Sequence, residues 1–347
     1  MPPAHVHFNG SVNLPDTETV MREIVSRIPI GPRRVPDGET GERGNWIAFQ
    51  LHKFLESPFF VPALGADDQS DPYQMLQVRL AAGVEPADVR WPDPGYADAY
   101  LDSYATFTRL RREGVIPESV RFQMQYPTPF ASISAHVIAE QRESLLGSYS
   151  QAIFGDLRRL LARVPPHDGA LQWDVAVEFR RLATGETGSD SRLFDAIVAG
   201  LVRCVDQVPG DTPAGLHLCY GDYRHQHFKE PESLALQVSV LNAVTAAASR
   251  PVSFVSFTVP QYQRDEGYFT PLTGLTADPD MELNFGLVPY HPADQPPGTT
   301  KEQIRLIDAA LGGGRAWGIC TECGMGRAER DEIPGLLDLH REIVTGR

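Results

Sequence analysis

The stretch that decides the fold is residues 215–257, GLHLCYGDYRHQHFKEPESLALQVSVLNAVTAAASRPVSFVSF. It starts with a short apolar run, Gly215–Cys219, and passes through a polar loop into a helix-forming stretch at 231–249. A second β-type run, Val252–Phe257, follows. Strand, helix and strand in this order form the repeating unit of a parallel α/β sheet.

The same alternation continues outward from this segment in both directions. The predicted strands are His5–Asn9, a run ending near Val35, Val120–Gln125, Ala170–Asp174, Gly215–Cys219, Val252–Phe257, Leu283–Leu287 and Arg315–Ile319. The predicted helices begin near Asp16 and cover about 96–112, 130–164, 191–207, 231–249, 300–311 and 327–345. This pattern predicts one α/β domain over residues 1–347, a single (β/α)8 TIM barrel with a long insertion at about 54–94, after strand 2. A doubly wound open sheet fits the pattern alone nearly as well.

Composition excludes several classes of partner. The net charge is −14, from 31 basic and 45 acidic residues, which argues against nucleic acid and against an anionic membrane surface. No apolar run has the length of a membrane span, and the amino terminus lacks the features of a signal peptide, so a cytoplasmic protein is expected. The oligomeric state is not fixed by the sequence, and a homo-oligomer is compatible with it.

The four cysteines are too few for a disulfide framework, so they are core residues, metal ligands or reactive thiols. His217 and Cys219 stand two apart on a predicted strand and therefore share a face. Nitrogen and sulfur donors together suit zinc, and a third ligand would come from Cys320 or Cys323 after the last strand. Taken alone, the pair also fits a core cysteine beside a hydrogen-bonded histidine.

Other cysteine and histidine patterns have competing interpretations. Cys320 and Cys323 form a C-x-x-C pair, which also suits a dithiol redox centre or half of a structural zinc site. Cys204 lies in an apolar helical stretch and is interpreted as a core residue. His225 and His227 stand in a polar loop, where exposure to solvent is favoured over metal binding.

Polar side chains follow most of the predicted strands. In a barrel they would converge on one rim and form a polar, metal-capable pocket. Besides the residues named above, this set consists of Ser11, Asp37, Glu39, Asp174, Glu322, Tyr290 and His291.

Five short motifs, in register along most of the chain, resemble one family. They are Phe8–Ser11, Asp37-Gly38-Glu39, Gln172-Trp173-Asp174, His217-Leu218-Cys219-Tyr220, and the segment from Trp317 through Cys323-Gly324 to Arg327. The chain resembles the cobalamin-independent methionine synthase superfamily, specifically its catalytic C-terminal barrel, which is related to the uroporphyrinogen decarboxylase barrel.

The resemblance implies roles for particular residues. It implies zinc bound by His217, Cys219 and Cys323. It also implies that Ser11 holds a substrate carboxylate, that the acidic Asp37–Glu39 segment faces the substrate, and that Asp174 binds its amine. The sequence departs from the family after strand six, where residues 254–260 contain no zinc-binding glutamate, and after strand four, where Val175-Ala-Val replaces Glu-Pro-Ala.

The family chemistry implies a zinc-dependent transferase that moves a methyl or other alkyl group from a donor to a small-molecule thiol. Asp174 and Glu39 would orient the substrate, Tyr290 would contact it, and His291 would serve as general acid. Tyr126 and Trp46 would stack on a flat donor, although core packing explains them equally well. Three alternatives stay open: a lyase or decarboxylase on the same barrel, a catalytically inactive metal- or thiol-binding homologue, and a dithiol oxidoreductase.

Overall fold

The computed structural model describes residues 3–28, 32–63, 76–185, 191–223 and 226–346, without the side chain of Ile47. His225, one half of the histidine pair considered above, and residues 64–75 of the predicted insertion lie outside the described residues.

The described residues form ten strands. In chain order they are β1 (His5–Val6), β2 (Arg34–Pro36), β3 (Phe60–Ala63), β4 (Gln77–Leu80), β5 (Arg121–Pro127), β6 (Gly169–Val175), β7 (Ala214–Leu218), β8 (Phe254–Phe257), β9 (Glu282–Val288) and β10 (Gly318–Thr321). Eight of them correspond to the eight predicted strands, with ends shifted by a few residues.

These eight strands form one parallel sheet in the order β1-β10-β9-β8-β7-β6-β5-β2. The protein is therefore an α/β protein with a curled parallel sheet, whose edge strands are β1 and β2. Just beyond these two edge strands, Ser11 and Gly38 form an isolated parallel bridge, and the Val12 amide donates to the Gly38 carbonyl at 3.0 Å.

The described residues form eleven α-helices. They are α1 (Thr17–Arg27), α2 (Trp46–Glu56), α3 (Tyr96–Arg112), α4 (Pro129–His136), α5 (Arg142–Leu161), α6 (Val177–Thr184), α7 (Ser191–Asp206), α8 (Ala235–Ala247), α9 (Glu266–Phe269), α10 (Thr299–Ala310) and α11 (Ile333–Thr345). Asp16 caps α1 as predicted, because its side chain accepts from the Thr19 amide at 2.8 Å. The sequence pattern missed α2, α6 and α9. None of the helices in the described ranges is long and apolar enough to cross a membrane.

The predicted insertion contains structure of its own. β3 and β4 pair antiparallel, with Phe60 opposite Leu80. Phe60 also packs against Phe54 and Trp91, with ring centroids 5.7 and 5.2 Å away. The aromatic side chains of this segment therefore build a local cluster that holds the hairpin beside the helices.

The two faces of the large sheet differ in chemistry. In β5, the apolar Phe122, Met124 and Tyr126 alternate with Gln123 and Gln125, which point to the opposite face. This opposite face is polar in the neighbouring strands too. Its buried members include His5, His7, Arg34, Gln172, His217, Ser256, Glu282 and Asn284. Hydrogen bonds satisfy many of these groups, such as the 3.0 Å contact between His7 Nε2 and Gln172 Oε1.

Candidate metal centre

Three side chains with metal-binding donors meet at the carboxyl end of the sheet. His217 lies in β7, Cys219 directly follows it, and Cys323 follows β10. Their donor atoms all lie within 4.8 Å of one another, and the two sulfurs are 3.8 Å apart. The structure thus brings together the three residues that the sequence indicated.

The electrostatics of the pair favour a thiolate. The hydrogen bond from Cys219 lowers the pKa of the Cys323 thiol well below its ordinary value, while the same contact raises that of Cys219. The Gly221 amide donates to the Cys219 sulfur at 3.3 Å. Deprotonated sulfur is the form that binds metal ions.

The segment that carries Cys323 packs closely against the loop that follows β1. A side-chain carbon at Gly324 would come 2.2 Å from Ser11 Oγ, so only glycine fits there. The Tyr290 hydroxyl accepts from the Cys323 amide at 3.1 Å and donates to the Gly324 carbonyl at 2.9 Å. Ser11 and Tyr290, both expected near substrate, therefore lie beside the Cys323 loop and help to position it.

Two carboxyl groups lie near the donors, of which Glu39 is buried and Asp174 is partly buried. Asp174 is the register partner of His217 in the adjacent strand, and burial raises its pKa to about 7, against the opposing effects of His217 and Gln172. Burial, and then the charge of Asp174, raises the pKa of Glu39 well above its ordinary range. The backbone of Glu39 is left-handed, with φ of 53°, which is uncommon for a residue with a side chain.

Asp37 is largely committed to contacts within the protein. One carboxylate oxygen forms an ion pair with Arg43 and accepts from Ser103 Oγ, and the other accepts from the Glu39 amide at 3.0 Å. This arrangement supports the turn that carries Glu39. The expected contact of Asp37 with substrate stays a prediction.

His227 differs from the solvent-exposed loop residue that the sequence favoured. Its side chain is only 10% exposed and lies between Glu322 and Glu230, at 2.7 and 3.0 Å. Burial opposes protonation, but these two carboxylates outweigh it and raise the pKa of His227 to about 10. Glu230 stands three positions later in the same loop, but the fold alone brings Glu322 to the histidine, so the sequence did not indicate this buried contact.

The remaining candidates lie elsewhere. Tyr126 is on the helix-facing side of β5, fully buried, and donates to Asp156 at 2.6 Å. Trp46 begins α2 and packs edge-on against Tyr96. The structure does not bring either ring into the donor group, and core packing accounts for both. His291 is half-buried in the turn after Tyr290, where its proton-transfer role stays a prediction.

The other two cysteines are outside the donor group. Cys204 is buried in α7 among apolar side chains, which confirms its interpretation as a core residue. Cys320 is fully buried within β10, and burial raises the pKa of its thiol. All four thiols are free, and Cys323 is hydrogen-bonded to Cys219, not to the other member of the C-x-x-C pair.

Sequence reasoning gave no role to four residues around the donors, Ser256, Asn9, Arg327 and Asp222. The Ser256 hydroxyl contacts Nδ1 of His217 at 2.9 Å, and it also contacts Asn9 Oδ1 at 2.7 Å. Arg327 lies 3.5 Å from Asp222 and acts electrostatically on both cysteines. The sequence offers one sign of Ser256: it is a polar residue between the apolar Val255 and Phe257 of a predicted strand, so its side chain points to the opposite face from theirs.

Comparisons with known proteins give a similarity of fold. No protein-family model and no curated protein matches the sequence. Among solved structures, the chain is similar to a protein of Listeria monocytogenes provisionally described as a vitamin-B12-independent methionine synthase. The TM-score is 0.56 and the identity 12%, over 98% of both chains. At this identity the similarity shows that the two proteins share a fold.

Proposed function

We propose that this protein is a zinc-dependent enzyme that transfers a methyl or other alkyl group to the sulfur of a small thiol, in the manner of a methionine synthase. The observation that carries the proposal is the meeting of His217, Cys219 and Cys323 at the carboxyl end of the sheet. In (β/α)8 enzymes that end of the sheet is where active sites lie. The similarity in fold to a protein described as a methionine synthase supports it.

The three donors fit zinc. Tetrahedral zinc with metal–sulfur bonds of about 2.3 Å places two cysteine sulfurs about 3.8 Å apart, and the observed separation is 3.8 Å. His217 Nε2 is buried, and the ring lies within the donor group beside the two cysteine sulfurs, where this nitrogen would be the third ligand. Catalytic zinc sites have three protein ligands and leave one position for substrate.

The chain's own residues would handle the rest of the substrate. Bound zinc would lower the pKa of a substrate thiol and hold it as thiolate at neutral pH. Asp174 and Glu39 would orient a cationic group of the thiol, and Ser11 would hold a carboxylate beside the Cys323 loop. Tyr290 would keep Cys323 in place, and His291 would protonate the leaving group.

The proposal also covers the fold of the protein, its small-molecule partners and its cellular compartment. We take the sheet to be a closed (β/α)8 barrel forming one domain, supported by the bridge between Ser11 and Gly38 beyond the two edge strands. The partners would be a small thiol and an alkyl donor. Four free thiols suit a reducing compartment such as the cytoplasm.

Metal analysis and an alkylation assay test this function together. The purified protein should hold one equivalent of zinc, and Cys219→Ser and Cys323→Ser should lose most of it. Cys204→Ser is the matched control, because this buried thiol is outside the donor group and should leave the zinc content unchanged.

Methyl iodide, as a general donor, should methylate homocysteine faster with the zinc-loaded wild type than with the two variants. Zinc binding without any acceleration of a panel of small thiols would favour a binding homologue. Absence of bound zinc would contradict the proposal and favour a lyase or decarboxylase. A readily reversed disulfide between Cys320 and Cys323 would favour the redox alternative.

A further inference from the structure

The two ring nitrogens of His217 have different surroundings. Nδ1 lies 2.9 Å from the hydroxyl of Ser256, its register partner in β8. Nε2 is buried on the side of the ring that faces the donor group with the two cysteine sulfurs. An imidazole binds a metal through a nitrogen that carries no proton, so the position of the ring proton decides whether this site can form.

The position of that proton follows from a chain of hydrogen bonds. Asn9 Nδ2 lies 2.7 Å from the carbonyl oxygen of Thr321, which can only accept. This contact fixes the orientation of the amide, so Asn9 Oδ1 faces Ser256 at 2.7 Å. Because Oδ1 also can only accept, the single hydroxyl proton of Ser256 is donated to it.

The Ser256 oxygen must then accept from the histidine. With its proton committed to Asn9, it has only lone pairs to offer Nδ1 of His217, and so Nδ1 carries the ring proton. The neutral imidazole has only one such proton, so Nε2 presents a lone pair toward Cys219 and Cys323. Three consecutive contacts thereby select one tautomer.

We propose that Ser256 and Asn9 are positioning residues that hold His217 in its Nδ1-protonated tautomer and so present Nε2 to the metal ion. The inference rests on the proposed zinc site. It gives β8 a definite part in that site, in which the strand supplies the hydrogen-bond acceptor behind the histidine and no metal ligand of its own.

Because these residues are buried, water cannot replace a hydrogen-bond partner that is lost. Ser256 is 0%, Thr321 2% and Asn9 5% exposed, so solvent is excluded from the contacts. Loss of the Ser256 hydroxyl leaves both Nδ1 and Asn9 Oδ1 without the partner seen here, and the ring is free to take its proton on Nε2. Groups behind a metal-bound histidine generally contribute about 10- to 100-fold to metal affinity.

Nitrogen NMR of the metal-free protein labelled at its histidines tests the tautomer directly. At a pH where the ring is neutral, the expected result is a His217 ring with its proton on Nδ1, assigned by the signals that disappear in His217→Gln. A neutral wild-type ring with its proton on Nε2 in place of Nδ1 would overturn the inference. This measurement is made on the wild-type protein without zinc, and the His217→Gln variant serves only to assign the signals.

Metal binding to Ser256→Ala provides the second measurement. Chelator competition should show zinc affinity about 10- to 100-fold below wild type, and the visible spectrum of the cobalt-substituted variant should differ from that of wild type. Ser253→Ala is the matched control: this hydroxyl, just before β8, accepts from the Ala214 amide at the start of β7, and its loss should leave both readouts unchanged. Wild-type affinity together with an unchanged cobalt spectrum in Ser256→Ala would overturn the positioning role. If wild-type protein binds neither metal, the proposed function fails, whereas the tautomer is still decided by NMR.

Discussion

His227 and Glu322 are in contact at 2.7 Å, and this pair joins the loop that follows Cys219 to the segment that carries Cys323. The two loops, which carry candidate metal ligands, follow strands β7 and β10, which are not neighbours in the sheet. The contact between these side chains, 10% and 11% exposed, is therefore a direct tie between them.

Removing this tie should weaken metal binding. His227→Gln leaves Glu322 without its cationic partner, so the Cys323 segment loses a restraint and zinc affinity should fall by about tenfold, as for other supporting residues. Chelator competition measures the change. His167→Gln is the control, because that histidine is 79% exposed beside Asp168 and should leave affinity as it is. Equal zinc affinity in His227→Gln and wild type would contradict the structural role.

Tyr290→Phe should destabilise the protein, because it removes hydrogen bonds to the backbone of the Cys323 segment. The lost hydroxyl leaves the Cys323 amide and the Gly324 carbonyl without this partner, and unpaired buried polar groups cost about 1–3 kcal/mol each. Chemical denaturation in the presence of chelator measures the loss of stability independently of the metal. Tyr262→Phe, at a tyrosine that is 52% exposed, should change stability much less. Equal stability of the two variants would show that Tyr290 does not hold the loop.

Gly324→Ala should displace the Cys323 loop from Ser11. The added carbon would lie 2.2 Å from Ser11 Oγ and 2.9 Å from its amide nitrogen, so the two loops must separate, at a cost of about 1–3 kcal/mol. Gly335→Ala is the matched control in α11, where the carbon meets nothing within 4 Å and should stabilise the helix by about 0.5–1 kcal/mol. Thermal unfolding distinguishes them, and a Gly324→Ala protein as stable as wild type would be evidence against this close approach.

Glu282→Gln should destabilise the sheet from its polar face. Glu282 forms ion pairs with Arg34 and Arg33 and contacts His5 at 3.2 Å, and breaking a buried pair generally costs about 3–5 kcal/mol. Burial opposes ionisation of Glu282, but Arg34 and His5 outweigh it and lower its pKa well below the ordinary value.

The pH dependence follows from that direction. Because the pKa of Glu282 is lowered in the folded protein, its ion pairs contribute their full free energy of stabilisation above the ordinary glutamate pKa of about 4.3. This stabilisation is lost as the pH falls below that value. Denaturation of wild type should therefore become easier in acid, and the stability difference between wild type and Glu282→Gln should shrink there. A difference that stays constant from neutral pH to pH 3 would contradict this assignment.

Much of the fold was predictable because at least one helix follows each strand of the parallel sheet. The apolar, β-branched runs and their spacing predicted all eight strands of the parallel sheet, and Tyr96–Arg112 has the bounds that its helical pattern gave. The hairpin of β3 and β4 was missed because its Pro62 and its aromatic neighbours are typical of irregular structure. Its stability comes from tertiary packing of rings, which local sequence does not encode.

The candidate site was predictable where the chemistry of a residue is distinctive. His217, Cys219 and Cys323 were recognisable as donors by type and spacing. Ser256 and Asn9 were not, because serine and asparagine occur everywhere and gain meaning only from the atoms they face. Tyr126 follows Gln125 on one strand, and period-two alternation turns it toward the helices, which agrees with the core-packing alternative. Its contact with a donor stays a prediction.

The hydrogen-bonded chain behind His217 also bears on how the protein is made. Asn9 lies 247 positions before Ser256, and Cys219 and Cys323 are 104 positions apart. While the protein is still on the ribosome, the emerging chain offers a histidine and a cysteine but not the second sulfur. We therefore expect metal to be acquired only after synthesis is nearly complete, and a proteolytic fragment lacking either end to lose it.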